Sequence, residues 1–117
     1  MDAIRVLLSA GASTTYDYLS SKAPTSKIHR SILNSIDRKI GIIKEDRYYG
    51  AAIRKSLIPE EYKIEYGSTN LFRVELSDFW RMLYTLTNDE AGMKTVAIVL
   101  DIINHETYDK KFGYKHL

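Results

Sequence analysis

The chain has 117 residues, 44% of them hydrophobic and 27% charged, with a formal net charge of +2. This length predicts a single domain over 1–117 and excludes a TIM barrel or a complete dinucleotide-binding enzyme. Two prolines and six glycines exclude a low-complexity chain, and the lack of cysteine excludes a disulfide scaffold, a thiol nucleophile and a thiolate zinc site.

The opening MDAIRVLLSAGAST is too short and too poorly flanked for a signal peptide, and no run approaches a membrane span, so a cytoplasmic protein is expected. Ile4, Val6 and Leu8 alternate through Ala3–Leu8 and predict a short strand ended by Gly11. Ser13 or Thr14 is positioned to cap a first helix reaching about Lys22, with Tyr18 and Leu19 as its apolar contacts and Pro24 stopping it. Thr25 or Ser26 then caps a longer helix, on which Ile28, Ile32, Leu33, Ile36, Ile40 and Ile43 form one stripe. The pair reads as an αα-hairpin lying on a sheet. After a turn over 46–50, Ala51–Leu57 reads as a weak strand or extended arm, and Pro59–Tyr66 as a helical turn ended by Gly67.

Asn70–Leu86 holds two alternating segments around Ser77-Asp78-Phe79. A two-residue turn would pair Val74 with Arg81 and mix polar with apolar side chains. A three-residue turn pairs 76 with 80, 74 with 82 and 72 with 84. One face then carries Phe72, Val74, Leu76, Trp80, Met82 and Tyr84, and is covered by helices. The other carries Arg73, Glu75 and Arg81, and is expected to stay open. Thr87–Lys94 is a polar loop, and Thr95–Ile103 reads as a strand buried on both faces, followed by a helical turn at 104–108 stopped by Gly113. The whole is an α+β, two-layer arrangement of an N-terminal strand, two helices and a mostly antiparallel sheet.

No GxGxxG, GxxxxGK, HExxH or GxSxG motif occurs, and no metal-ligand cluster is apparent. Between Lys27 and Lys55 there are eight Lys and Arg against three Asp and Glu. This suits a phosphate-bearing partner, or simply a solvated helix face. His29 and His116 read as surface residues, and Tyr48, Tyr49 and Tyr114 as the exposed tyrosines. His105 follows the buried strand, shares the parity of Asp101 and precedes Tyr108 by three residues. It is either a capping histidine beside a packing tyrosine or an acid/base group beside Arg73 and Arg81. Imidazole exchanges protons near neutral pH, whereas arginine holds phosphate and stabilises growing negative charge. For Arg73 and Arg81 the alternative is a solvated sheet face, with Arg81 paired to Glu75.

From Ala52 to Tyr114 the segments IRKSLIP, NLFRVEL, WRMLYTL and VLDIINHETYDKKFGY, in that order and spacing, resemble the RelE-like branch of the RelE/ParE-like toxins. The strand and helix pair before them match that family's order of elements, so the resemblance spans nearly the whole chain. It implies the toxin of a type II toxin–antitoxin pair, with a cognate antitoxin as partner. RelE-type members are endoribonucleases that cut mRNA on the ribosome and inhibit translation, the ribose 2′-hydroxyl attacking the adjacent phosphate without metal or cofactor. Carried onto this sequence, Arg81 of WRMLY falls at a catalytic arginine and Arg73 of NLFR at a second phosphate contact. Tyr108 falls at the C-terminal aromatic position, with His105 before it as acid/base. Lys55 falls at a substrate-backbone contact, with Arg54 as a further candidate. ParE-type relatives of the same fold instead act on DNA gyrase without cutting RNA, and an inactive RNA- or antitoxin-binding relative is a third possibility.

Overall fold

The computed structural model describes residues 3–113, so Tyr114 and His116 lie outside the described residues. Arg5–Leu8 forms β1, with Ile4, Val6 and Leu8 packed into the core and Leu7 exposed. The strand stops earlier than Gly11. The buried Ser9 hydroxyl accepts the Ala12 N–H at 3.1 Å and donates to the Leu100 carbonyl at 2.8 Å. Ser9 therefore caps α1 (Ala10–Lys22), in place of the expected Ser13 or Thr14, because it alone ties the helix start to the sheet. Leu19 is fully buried, whereas Tyr18 is exposed and meets the half-buried His29 edge-on.

Ser26 caps α2 (Lys27–Glu45), its hydroxyl accepting the His29 N–H. Ile32, Ile36 and Ile43 are buried, with Leu33 and Ile40 packed beside them; Ile28, in the first turn, is exposed, so the stripe begins one turn later than its spacing suggests. The two helices form the expected hairpin over one sheet face. Tyr16 donates to Asp37 Oδ1 at 2.7 Å between them, and this bond, helped by burial and the carboxylate's charge, pushes the Tyr16 hydroxyl up to about 12.

Five strands pair in the order β1-β5-β4-β3-β2, with β1 parallel to β5 and the others antiparallel. β3 (Phe72–Glu75) and β4 (Trp80–Asn88) take the three-residue connection: Phe72 lies opposite Tyr84, Val74 opposite Met82 and Glu75 opposite Arg81. The apolar face so formed packs under α1 and α2. The arm expected over Ala51–Leu57 is shorter. Only Ala51–Ala52 pairs as β2, and Lys55–Leu57 winds into a 3₁₀ turn. Gly50 sets the approach: a Cβ there would stand 2.9 Å from the Tyr84 ring and 3.1 Å from the Arg73 carbonyl. Its N–H donates to the Tyr84 hydroxyl, which in turn donates to the Arg47 carbonyl.

β5 (Thr95–Asn104) is buried on both faces, as its apolar run predicts. A bulge against β4 changes its phase, Leu83 pairing with Asp101 and Tyr84 with Val99. Ala97, Val99 and Ile102 therefore face α1 and α2, while Leu100 and Ile103 join a second cluster with Ile58, Tyr62, Leu71, Leu83 and Tyr108. Two short helices supply that cluster: α3 (Glu60–Tyr66), ended by Gly67 at φ 61°, and α4 (His105–Phe112). No helix among the described residues is long and apolar enough to cross a membrane.

The second cluster contains a buried polar contact with a consequence for stability. Tyr62 donates to Asp101 Oδ2 at 2.6 Å, and burial, then this bond, hold its hydroxyl far above its ordinary range. The unfolded chain loses that proton near pH 10 while the native state keeps it. Stability from this group is thus complete below about pH 10 and is lost as pH rises beyond it. Thermal melts between pH 8 and 11 are expected to show a falling Tm above about pH 10. The Tyr62→Phe variant should fall less steeply, with Tyr16 retaining its own share. Equal slopes in the two proteins would exclude Tyr62 as a source of alkaline instability.

Candidate functional site

The alternation of β3 and β4 puts Arg73, Glu75 and Arg81 on the sheet face away from α1 and α2. Glu75 sits between the two guanidinium groups, Oε1 3.1 Å from Arg73 Nε and Oε2 3.4 Å from Arg81 Nε. One carboxylate against two cations leaves an excess positive charge, and Glu75 itself is largely exposed. Arg81 Nη1 donates to the Phe79 carbonyl at 3.1 Å, while its buried Nε makes no hydrogen bond among the described residues. A guanidinium carries five N–H donors, so Arg81 retains donors for an incoming anion.

This face is not left open as expected. The helical turn expected from 104–108 is a two-turn helix, His105–Phe112, stopped by Gly113 as expected, and it lays Tyr108 across the arginines. The Tyr108 ring centroid lies 4.9 Å from Arg81 Cζ and 5.9 Å from Arg73 Cζ, and its hydroxyl accepts from Arg73 Nη1 at 3.2 Å. Phe112 stacks behind it at 4.3 Å, and Tyr108 is buried. The roof leaves the Arg81 side chain 21% exposed. Arg73, Arg81 and Tyr108 are thus brought together in one cluster around Glu75.

His105 stands at the margin of that cluster. It opens α4 and is exposed, with its ring edge-on to Phe79 at 6.1 Å. The capping role belongs to Asn104, whose Oδ1 accepts the Thr107 N–H at 2.9 Å. Asp101, despite its parity, is engaged with Tyr62 and lies 3.6 Å from Lys111 Nζ. Burial works to lower the Lys111 pKa, but its hydrogen bond to Glu61 and the charge of Asp101 outweigh burial and raise it.

Arg54 lines a small hollow of about 140 Å³ with Leu57, Arg73, Tyr108 and Phe112. Lys55, its neighbour, sits exposed in the 3₁₀ turn outside that lining. The basic middle of the chain makes a second feature, on the helical side. Lys27, Arg30 and Arg38 line a hollow of about 430 Å³ with Ser31, Asn34 and Ser77. Phe112 and Phe79 are the neighbours of the site that sequence alone does not single out; the only signal for Phe79 is an aromatic residue closing a tight turn. Among the described residues no group of three or more His, Asp or Glu is placed to hold a metal ion.

A mixed five-stranded sheet, with a helical hairpin on one face and two arginines under a C-terminal helix on the other, is a small α+β fold with a defined polar cluster. No protein-family model matches the chain, and no curated protein matches it significantly. Among solved structures, the YoeB/ParE toxin from Agrobacterium tumefaciens superposes with a TM-score of 0.58 at 10% identity, over 87% of this chain and 99% of that one. The chain has a RelE/ParE-like toxin fold.

Proposed function

We propose that the protein is the toxin of a toxin–antitoxin pair and acts as a metal-independent, ribosome-dependent mRNA endoribonuclease. The observation that carries this reading is the cluster of Arg73 and Arg81 around one carboxylate, with a net positive charge and unspent N–H donors on Arg81. Cleavage of RNA without a metal needs charge stabilisation at phosphorus and two proton transfers. The 2′-oxygen forms a bond to phosphorus and gives its proton to a base. The bond from phosphorus to the 5′-oxygen then breaks as that oxygen takes up a proton. The products are a 2′,3′-cyclic phosphate and a 5′-hydroxyl.

Arg81 and Arg73 would hold the phosphate oxygens as their negative charge grows, a task suited to a planar fork of donors. Releasing Glu75 costs little, because ion pairs this exposed contribute about 0–1 kcal/mol. An imidazole at position 105 would serve proton transfer, because its ring nitrogens can both give and take a proton. Tyr108 would position Arg73, and Arg54, with Lys55 beyond it, would meet the RNA backbone. The same reading assigns a cognate antitoxin as partner. An acidic segment of such a partner would match the hollow of Lys27, Arg30 and Arg38 by charge.

The deciding experiment is cell-free translation with purified protein, the mRNA ends mapped by primer extension. New ends that require ribosomes support the reading. Intact messages overturn it. DNA breaks in cells expressing the protein would then indicate a ParE-like topoisomerase binder, and unimpaired growth an inactive relative.

A further inference from the structure

The turn joining β3 to β4 holds an arrangement that stability does not account for. Asp78 and Phe79 both have positive φ, 57° and 62°. Asparagine, aspartate and glycine tolerate this region; for a bulky side chain it is strained. Phe79 gains little burial in exchange, being 74% exposed. An aromatic ring is thus held out in water by a strained backbone, which is the combination that marks a binding role more than a packing one.

Two contacts give the ring a fixed place beside the arginine cluster. The Phe79 carbonyl accepts from Arg81 Nη1 at 3.1 Å, so the residue that aims the ring also aims the guanidinium. The His105 ring meets Phe79 edge-on at 6.1 Å, which steadies one side and leaves the phenyl group otherwise exposed. Two residues apart and joined by that hydrogen bond, Phe79 and Arg81 stay within one nucleotide's reach. Every nucleobase has a π-face, and aromatic side chains beside cationic groups are the common device for seating single-stranded RNA.

We propose that Phe79 is a stacking platform for the nucleobase next to the phosphate held by Arg81. This rests on the endoribonuclease reading and deepens it by naming a substrate-binding residue outside the arginine cluster. Loss of one base–aromatic stack is expected to weaken binding about 5- to 150-fold.

The test uses ribosomes programmed with a message carrying 2-aminopurine beside the mapped cleavage position. A 2′-deoxy sugar at that position separates binding from cleavage. The wild-type protein should quench the fluorescent base. Phe79→Ala should lose the quench and need a correspondingly higher protein concentration to cut the unmodified message. Phe79→Trp should restore both. Phe79→Gly should lose them while melting at a higher temperature than the wild type, because glycine accepts the positive φ without strain. If Phe79→Ala cuts and quenches as the wild type does, Phe79 is no platform, although the nuclease reading stands. If the wild type leaves the message whole, the nuclease reading fails and this inference with it.

Discussion

Replacing Arg81 with alanine is expected to lower RNA cleavage on the ribosome by about 10²–10³-fold, the usual loss when one donor to a developing oxyanion is removed. The fold should survive. Arg81 contributes a contact to the exposed Glu75 carboxylate, a carbonyl bond within its own turn and a cation–π contact with the buried Tyr108 ring. Such contacts are worth about 0.5–2 kcal/mol each for a side chain this enclosed, so the melting temperature should fall by several degrees without loss of the fold. Arg81→Lys is not a conservative change here. Lysine keeps the charge but loses the fork that can face Phe79, Glu75 and a phosphate together, and it should recover only a small part of the lost rate. Single-turnover cleavage at saturating protein, read beside thermal melts, distinguishes the outcomes. Full cleavage by a folded Arg81→Ala protein would remove Arg81 from the chemistry.

Much of this arrangement is legible in the sequence because a β-strand has a period of two. The choice between a two- and a three-residue turn decides every cross-strand pair from Phe72 to Tyr84, and only the latter separates the aromatic face from the arginines. What escapes is information that a one-dimensional period does not carry. The bulge at Leu83/Tyr84 rephases β5, so Leu100 and Asp101 both serve the second face; within a nearly unbroken apolar run nothing marks it. The Ser9 cap escapes because its value comes from the Leu100 carbonyl, 91 residues away. The roof over the arginines escapes for a related reason. HETYDKKF has Tyr108 and Phe112 four residues apart, a spacing that puts both on one helix face, but their use depends on where α4 docks. The site is therefore legible as a set of residue types on one face. Its degree of enclosure is not.

Tyr108 is where fold and chemistry meet, and two substitutions separate them. Tyr108→Ala removes a buried ring that stacks on Phe112 and lies over both arginines. Deleting a buried aromatic side chain costs about 3–5 kcal/mol, a large share of the 5–15 kcal/mol typical of a small domain. A fall in Tm on the order of 10–20 °C should follow. Tyr108→Phe keeps the ring and loses only the oxygen that accepts from Arg73 Nη1, at a cost of about 0.5–1.5 kcal/mol. Its effect on cleavage then identifies the hydroxyl's part. A hydroxyl that passes a proton in the reaction would be worth about 10²–10⁴ in rate, and its loss would add to that of Arg73→Ala in the double variant. A hydroxyl that only holds Arg73 in place would produce a smaller loss that disappears once Arg73 is already alanine. The burial of Tyr108 favours the second outcome, since a phenol stacked on Phe112 and committed to a guanidinium is placed to orient it more than to meet the leaving oxygen.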